Sequence, residues 1–104
     1  MSIAYLNGDW QPLEETRVSV LDRGFLFGDG VYEVIPVYSG KAFRLSGHLQ
    51  RLDGNLAAIR IANPLSEGSW TEIVERLIAD LGPVDQALYL QVTRGAAPKR
   101  DHAF

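Results

Sequence analysis

The sequence predicts an α+β domain in which a largely antiparallel sheet carries two helices on one side. Short strand-like segments joined by tight-turn residues come first, two amphipathic segments of helical period follow, and one alternating segment comes last. Strands joined by tight turns pair antiparallel, and an apolar stripe on a helix must be buried against an apolar sheet face. At 104 residues, the chain has the length of one modest domain.

The N-terminal segment predicts a β-hairpin over residues 3–10. Its centre is Asn7-Gly8, the strongest two-residue hairpin signal, because both residues tolerate positive φ. Val18 and Val20 indicate another short strand, and the Asp-Arg-Gly sequence at residues 22–24 indicates a turn that ends it.

Residues 31–38 have the alternation of a β-strand. One face carries Val31, Glu33, Ile35 and Val37, and the other carries Tyr32, Val34, Pro36 and Tyr38. Proline cannot donate to a ladder, so we expect Pro36 at an edge, at a bulge or where its N–H position is free of pairing. Ser39-Gly40 indicates a tight turn into a returning strand over residues 41–45. Residues 87–93 alternate as the last strand.

Two helices lie between these strands in the sequence. Ser46 is a candidate cap for the first, which is expected to run to about residue 61, and Gly54 within it indicates close packing. A capping box, Ser-Trp-Thr-Glu at residues 69–72, begins the second helix, because its serine and glutamate can each satisfy the other's backbone N–H. Gly82-Pro83 stops that helix.

Composition and charge argue against several classes of function. The formal net charge of -3, from 13 acidic and 10 basic residues, argues against a nucleic-acid partner, which would need a basic excess. The lack of cysteine removes thiolate chemistry and fits a cytoplasmic protein, and two histidines are too few for a histidine-rich site, so we expect no metal. With no apolar run of membrane-spanning length and no secretory signal, we expect no membrane partner.

Two residues on the predicted elements could bind an anion. Tyr32 is either an ordinary half-buried strand tyrosine or a phenol that donates a hydrogen bond to an anionic ligand. Arg51 lies off the centre of the leucine stripe of the first helix, and it is either a solvated cation or a planar donor fork for phosphate or carboxylate. The residue pattern alone leaves both pairs of alternatives open.

The C-terminal segment, residues 94–104, is rich in cations. Arg100 and His102 are two residues apart, which sends extended side chains to the same side, so they could trap a carboxylate together. The alternative is a solvated basic terminus. Gly28-Asp29-Gly30 precedes a strand rather than a helix, so we interpret it as a turn and not as a dinucleotide fingerprint.

Three motifs in a fixed order resemble the class IV, or fold type IV, pyridoxal-phosphate aminotransferases. The pattern of that family runs D-R-G, then F-G-D-G-V-Y/F-E, then a hairpin, then H-x-x-R-L. It appears here at residues 22–24, 27–33 and 48–52. Within the family, the chain resembles the D-amino acid aminotransferases most, because residues 89–104 are similar to their Y-x-Q-x-T-R-G-x-x-P-R-x-H-x-F, with Lys99 as an apparent insertion.

This resemblance implies a cofactor, substrates and a role for each candidate residue. Arg51 matches the arginine that binds the phosphate of pyridoxal 5'-phosphate, and Tyr32, Arg100 and His102 match the trap for the substrate α-carboxylate. Enzymes of this branch move an amino group from a D-amino acid to a 2-oxo acid. They are homodimers in which the loop carrying the arginine and histidine reaches the neighbouring subunit.

The resemblance also implies that residues 1–104 are the N-terminal small domain of a longer enzyme. Neither Lys41 nor Lys99 matches the catalytic lysine of the family, which lies in a second domain, so we expect no catalytic residue and no activity in this chain alone. The alternatives are a branched-chain aminotransferase or an aminodeoxychorismate lyase of the same fold, or a non-catalytic ligand-binding or dimerisation module.

Overall fold

The computed structural model describes residues 2–96. The strands are β1 (Ile3–Leu6), β2 (Asp9–Pro12), β3 (Gly30–Tyr38), β4 (Lys41–Ala42) and β5 (Gln86–Thr93). The helices are α1 (Arg23–Phe27), α2 (Leu45–Ala58) and α3 (Glu67–Leu81), and a single 3₁₀ turn spans Leu13–Glu15. None of the helices within this range is long and apolar enough to cross a membrane.

All strand pairs in the described range are antiparallel, which confirms the predicted α+β class. β1 and β2 form a hairpin about Asn7-Gly8, whose φ angles are 51° and 94°. The other sheet has the strand order β4-β3-β5, so β3 is its central strand. β3 and β5 pair from Gly30 opposite Thr93 to Val37 opposite Gln86, which places the beginning of β3 beside the end of β5.

One hydrophobic core lies between the three-stranded sheet and the two long helices. Its fully buried side chains are Ile35, Val37, Leu52, Leu56 and Val74. β5 adds Leu88, Leu90 and Val92, which alternate with exposed residues along the strand. Complete burial of one such side chain contributes about 1.5–3 kcal/mol. Because only one face of the sheet is covered within the described range, odd-numbered and even-numbered residues of β3 have opposite environments.

Pro36 lies in the central strand, at a position where its missing N–H interrupts no ladder. Its carbonyl accepts from the backbone N–H of Phe43, one residue beyond the end of β4. The amide and carbonyl of one residue in an antiparallel strand point to the same side, so the missing donor also faces this end of β4 and not β5. Pro36 therefore lies where its N–H position is free of pairing, which was one of the three expected alternatives.

Three predictions for the short elements are wrong. Residues 16–20, which include Val18 and Val20, form no strand, and both valines are exposed. The expected turn at residues 22–24 is instead the beginning of α1, where the Asp22 side chain accepts from the backbone N–H of Gly24. The strand expected over residues 41–45 is limited to β4, because Arg44 has a φ of 54° and the chain enters α2 directly.

The predicted caps of both long helices are also wrong, although both helices exist. α2 begins before Ser46, with Arg44 as an N-cap that lacks a side-chain hydrogen bond. α3 begins three residues earlier than predicted, because Ser66 rather than Ser69 caps it, accepting from the backbone N–H of Ser69 at 3.1 Å. The stop at Gly82 is confirmed. The close packing expected at Gly54 is absent among residues 2–96, since a Cβ there would meet none of their atoms within 4 Å outside its own helix backbone.

Candidate active site

The first half of β3 places an acidic side chain on the buried face of the sheet. Glu33 is only 3% exposed, between Val31 and Ile35 on the face that α2 covers. A buried carboxylate is costly unless charged and polar partners satisfy it. His48 and Arg51, one turn apart on α2, supply those partners.

The side chains of Glu33, His48 and Arg51 form a hydrogen-bonded cluster. The Arg51 Nε–H donates to Oε2 of Glu33 at 2.8 Å, and Nη2–H donates to Oε1 at 2.9 Å. His48 Nδ1–H donates to Oε1 at 2.7 Å. The guanidinium therefore binds the carboxylate through one side of its fork, which fixes the plane of the guanidinium.

Arg51 keeps a second donor edge that the cluster does not use. Among residues 2–96, its Nη1 has no hydrogen-bond partner, and its side chain is 64% exposed. An arginine held from one side and open at the other can present two parallel N–H groups to a phosphate or carboxylate. The arrangement is that of an oriented anion donor rather than a freely solvated cation.

The cluster shifts the titration of its charged groups. The hydrogen bonds from Arg51 hold the pKa of the Glu33 carboxylate below its ordinary value of 4.5, although burial opposes the shift. The hydrogen bond from His48 lowers this pKa further, by a smaller amount. The hydrogen bond between Arg51 and Glu33 also raises the pKa of Arg51 above its ordinary range. The carboxylate and guanidinium are therefore both charged at neutral pH.

Tyr32 lies on the other face of the same sheet. It is 61% exposed and stacks on Tyr89 of β5, with ring centroids 5.5 Å apart. The Tyr89 hydroxyl donates to the side-chain oxygen of Gln91, the residue directly opposite Tyr32 in the ladder. Tyr32 is thus not the half-buried strand tyrosine of the first alternative, and nothing in the described range covers this face.

Tyr32 and Glu33, which are adjacent in β3, therefore lie on opposite faces of the sheet. Glu33 directs Arg51 on the helix side, and Tyr32 points to the open side. The described chain does not bring Arg51 and Tyr32 into contact. Arg100 and His102 lie outside the described residues, so their roles, like those of Arg51 and Tyr32, stay predictions.

Comparison with known proteins decides the family. The model of the family described as amino-transferase class IV matches residues 30–104. The chain belongs to this family. The D-alanine aminotransferase of Staphylococcus epidermidis (strain RP62A) is 38% identical over 104 residues, which is all of this chain and 36% of that protein. This class IV aminotransferase chain thus spans about a third of the length of the curated relatives that it matches.

Solved structures share the fold across most of the chain. The 4-amino-4-deoxychorismate lyase of Pseudomonas aeruginosa is 34% identical with a TM-score of 0.70, covering 85% of this chain and 31% of that one. A Mycobacterium tuberculosis hypothetical aminotransferase in its PLP-bound form has 25% identity and a TM-score of 0.80, covering 93% and 35%. A branched-chain aminotransferase from Thermoproteus uzoniensis, at 24% identity and a TM-score of 0.85 over 97% and 35%, supports the fold alone.

The donor edge of Arg51 that the cluster leaves unused fits a phosphate group, such as the one on the pyridoxal 5'-phosphate used by this enzyme family. A phosphate needs donors in a fixed geometry, and the anchored guanidinium supplies two N–H groups already oriented by Glu33. Sequence reasoning proposed Arg51 but missed the function of Glu33 and His48. A signal was present: Glu33 is the single acid among the apolar residues of the buried face of β3, and a buried acid requires a donor.

Proposed function

We propose that this chain is the N-terminal part of a pyridoxal-phosphate-dependent transaminase that moves an amino group from a D-amino acid to a 2-oxo acid. Membership of the class IV aminotransferase family supports the reaction type. The relative named D-alanine aminotransferase, similar over the whole chain, supports the D-amino acid. The observation that carries the proposal is the Arg51 guanidinium, oriented by Glu33 and His48 and open at its outer edge.

In this proposal Arg51 binds the phosphate of pyridoxal 5'-phosphate. When bound, that cofactor supplies an electron sink for the bonds of the substrate α-carbon. The contribution of this chain is to hold the cofactor in place. Glu33 restricts the guanidinium to one plane, so that less side-chain entropy is lost when the phosphate binds. His48 donates to the same carboxylate and limits its rotation.

Tyr32 binds the substrate α-carboxylate in this proposal, together with Arg100 and His102. The support from the structure is the exposure of the Tyr32 phenol on the open side of the sheet, where its hydroxyl is free to donate among the described residues. A phenol next to two cationic groups is a suitable donor set for a carboxylate. The motif at residues 89–104 supports Arg100 and His102, and the family resemblance supports a homodimer. A cytoplasmic location, which the lack of cysteine fits, is part of the same proposal.

The proposal assigns no catalytic residue to residues 1–104. The two lysines of the chain are Lys41, exposed in β4, and Lys99. The family resemblance places the lysine that carries the cofactor in a second domain, and Lys41 lies at a hairpin turn instead. We therefore propose that the chain alone does not transaminate.

Kinetic measurements on the full-length protein that contains this chain test the proposed function. Purified protein loaded with pyridoxal 5'-phosphate is expected to convert D-alanine and a 2-oxo acid faster than L-leucine and the same acceptor. Arg100→Ala should raise KM for D-alanine by about 30- to 150-fold, since a charge-assisted fork contributes roughly 2–3 kcal/mol. Arg17→Ala is the control, because Arg17 is exposed and its hydrogen bonds within the described range go only to nearby backbone carbonyls. Preference for L-leucine, or an Arg100→Ala variant with unchanged KM, contradicts the proposal.

An aminodeoxychorismate lyase is the second candidate. The 34% identity to the Pseudomonas aeruginosa lyase over 85% of the chain favours it. Both enzymes would use Arg51 in the same way, so the phosphate site does not separate them. Release of pyruvate and 4-aminobenzoate from aminodeoxychorismate, without transfer of an amino group from D-alanine, would decide for the lyase.

A further inference from the structure

The three-stranded sheet has two edges that differ in how they are protected. β4 forms one edge and has only two residues, one of them the charged Lys41. β5 forms the other edge over Gln86–Thr93, without a proline or a charged residue. Strand edges in native proteins are normally short, charged, bulged or covered, because their unpaired N–H and C=O groups recruit other strands. The β5 edge therefore has the composition of an edge that another strand covers.

The ladder between β3 and β5 shows which backbone groups of this edge are unused. The Arg94 N–H donates to the carbonyl of Asp29 at 3.1 Å, one position beyond the last ladder pair. Hydrogen-bonded and non-hydrogen-bonded pairs alternate along an antiparallel ladder. The N–H and C=O groups of Ala87, Tyr89 and Gln91 therefore point away from β3. Among residues 2–96, none of these groups has a backbone partner.

A groove separates this edge from the N-terminal hairpin. It has a volume of about 1250 Å³, with residues 2–8 on one side and residues 86–93 on the other, and its lining includes Trp70 and Leu77 of α3. Gln86 also lines the groove, and its side-chain nitrogen is buried with no hydrogen-bond partner within the described range. A buried donor without an acceptor is costly, and an occupant with backbone carbonyls would supply one.

The strand on the other side of the groove, β1, also has an unused edge. The Leu13 N–H donates to the carbonyl of Ser2 at 3.1 Å, one position beyond the pair of Ile3 and Pro12. The same alternation directs the backbone groups of Ile3 and Tyr5 away from β2, and they have no backbone partner in the part of the chain that the structure describes. Two unpaired strand edges thus line one groove.

We infer that this groove holds one further β-strand, which the full-length protein contributes from outside residues 1–104 and which pairs with β5. An extended strand presents donors and acceptors at the spacing of the free groups of Ala87, Tyr89 and Gln91, and its apolar side chains would pack against α3. The chain spans about a third of the length of its curated relatives, so a full-length protein has enough chain to supply the strand. This inference rests on the proposed function, because it takes the chain as part of a longer enzyme.

A single strand fits the groove better than a second copy of the domain. A second copy would bring its own sheet and helices to the β5 edge, and the hairpin on the other side of the groove lies across that approach. A strand from the same polypeptide enters the groove without displacing the hairpin. It joins the hairpin and the three-stranded sheet across the groove.

Hydrogen exchange in the full-length protein tests the pairing at single amides. The amides of β5 that point towards β3 are the internal standard, so the test does not require the 104-residue chain to fold alone. The amides of Ala87, Tyr89 and Gln91 should exchange within about tenfold of this standard, because a second strand binds them. Faster exchange at these three amides shows an open edge and overturns the inference.

Photo-cross-linking identifies the strand. The variant Ala87→p-benzoylphenylalanine is assembled from unlabelled and isotope-labelled full-length copies, and the same substitution at Lys41, exposed in β4 at the opposite edge, is the control. The expected cross-link joins residue 87 to a peptide of the same polypeptide outside residues 1–104, which the control does not capture. A cross-link confined to residues 1–104, or one that joins differently labelled copies, overturns the inference.

The inference and the proposed function fail separately in these experiments. A full-length protein with protected amides at Ala87, Tyr89 and Gln91 that transfers no amino group from a D-amino acid contradicts the proposed function alone. A full-length protein that transaminates while these amides exchange freely contradicts the inference alone.

Discussion

At the scale of single residues, exposure alone would misclassify Arg51. A helix arginine that is 64% exposed is ordinarily a solvated cation. The difference is the Glu33 carboxylate, 18 residues earlier in the chain, which binds the guanidinium through two hydrogen bonds. The alternation of β3 predicts that Glu33 faces the core. It does not reveal which helix residue meets it, because that depends on how α2 packs on the sheet.

Replacing Glu33 should destabilise the domain. Glu33→Gln removes the negative charge from a site that is 3% exposed, and the neutral amide satisfies Arg51 and His48 less well. We expect a loss of about 1–3 kcal/mol in the free energy of unfolding, at the lower end because Arg51 is solvated. Urea denaturation measures it, with Glu72→Gln at an exposed position of α3 as the control. Equal stability of the two variants would show that the cluster contributes nothing.

The difference in stability between the wild type and Glu33→Gln should depend on pH. The pKa of Glu33 in the folded state lies below its ordinary value of 4.5, so the stabilisation is fully present above about pH 5. It is lost as the pH falls through the folded-state pKa, since both states then bind the proton. The difference in the free energy of unfolding between wild type and Glu33→Gln should therefore shrink from pH 6 towards pH 3. A difference that stays constant or grows on acidification would be evidence against the charged cluster.

At the scale of elements, the glycine that begins β3 and the glycine within α2 have opposite roles. Gly30 approaches the backbone of β5 so closely that no side chain fits, whereas Gly54 on α2 faces open space. Gly30→Ala should cost about 1–3 kcal/mol through forced displacement of β5. Gly54→Ala should stabilise the domain by about 0.5–1 kcal/mol, because alanine favours the helix. Thermal denaturation of both variants measures this, and destabilisation by Gly54→Ala or tolerance of Gly30→Ala would contradict the packing described here.

The beginning of α3 provides a second test at this scale. Two serines three residues apart compete as N-caps, and the capping-box pattern favoured Ser69, while the structure assigns the cap to Ser66. Ser66→Ala should cost about 1 kcal/mol, since one N–H of the first turn loses its acceptor. Ser69→Ala should cost much less, because its backbone N–H, not its hydroxyl, makes the capping bond. Chemical denaturation compares them, and the reverse order of the two losses would restore the original prediction.

At the scale of the whole molecule, local signals predicted the order of the longer elements correctly, but they did not predict the long-range contacts. The hairpin at Asn7-Gly8, β3, β5 and both long helices follow from period and turn chemistry. The Asp29 carboxylate accepts a hydrogen bond from Arg94, 65 positions later in the chain, and no local pattern specifies such a partner. The wrong caps have different causes. At α3, Ser66 and Ser69 both satisfy the capping rule, and the structure uses Ser66. At α2, Arg44 is the N-cap without a side-chain hydrogen bond, so the rule for small polar caps does not find it.

The two faces of the sheet divide the proposed site. The helix side holds Glu33, His48 and Arg51 by hydrogen bonds within the chain. The open side carries Tyr32 and Tyr89, which no described residue covers. In the proposed function, the cofactor phosphate therefore binds at a preformed part of the domain, whereas the substrate carboxylate depends on residues from the end of the sequence and from a second subunit.

The most direct test of the central claim compares two cofactors that differ only in the phosphate. Dissociation constants of pyridoxal 5'-phosphate and of pyridoxal are measured for the full-length protein, its Arg51→Gln variant and its Arg17→Ala control. If Arg51 binds the phosphate, Arg51→Gln weakens pyridoxal 5'-phosphate by about 30- to 100-fold and leaves pyridoxal nearly unchanged. Equal weakening of both compounds, or of neither, would contradict the account.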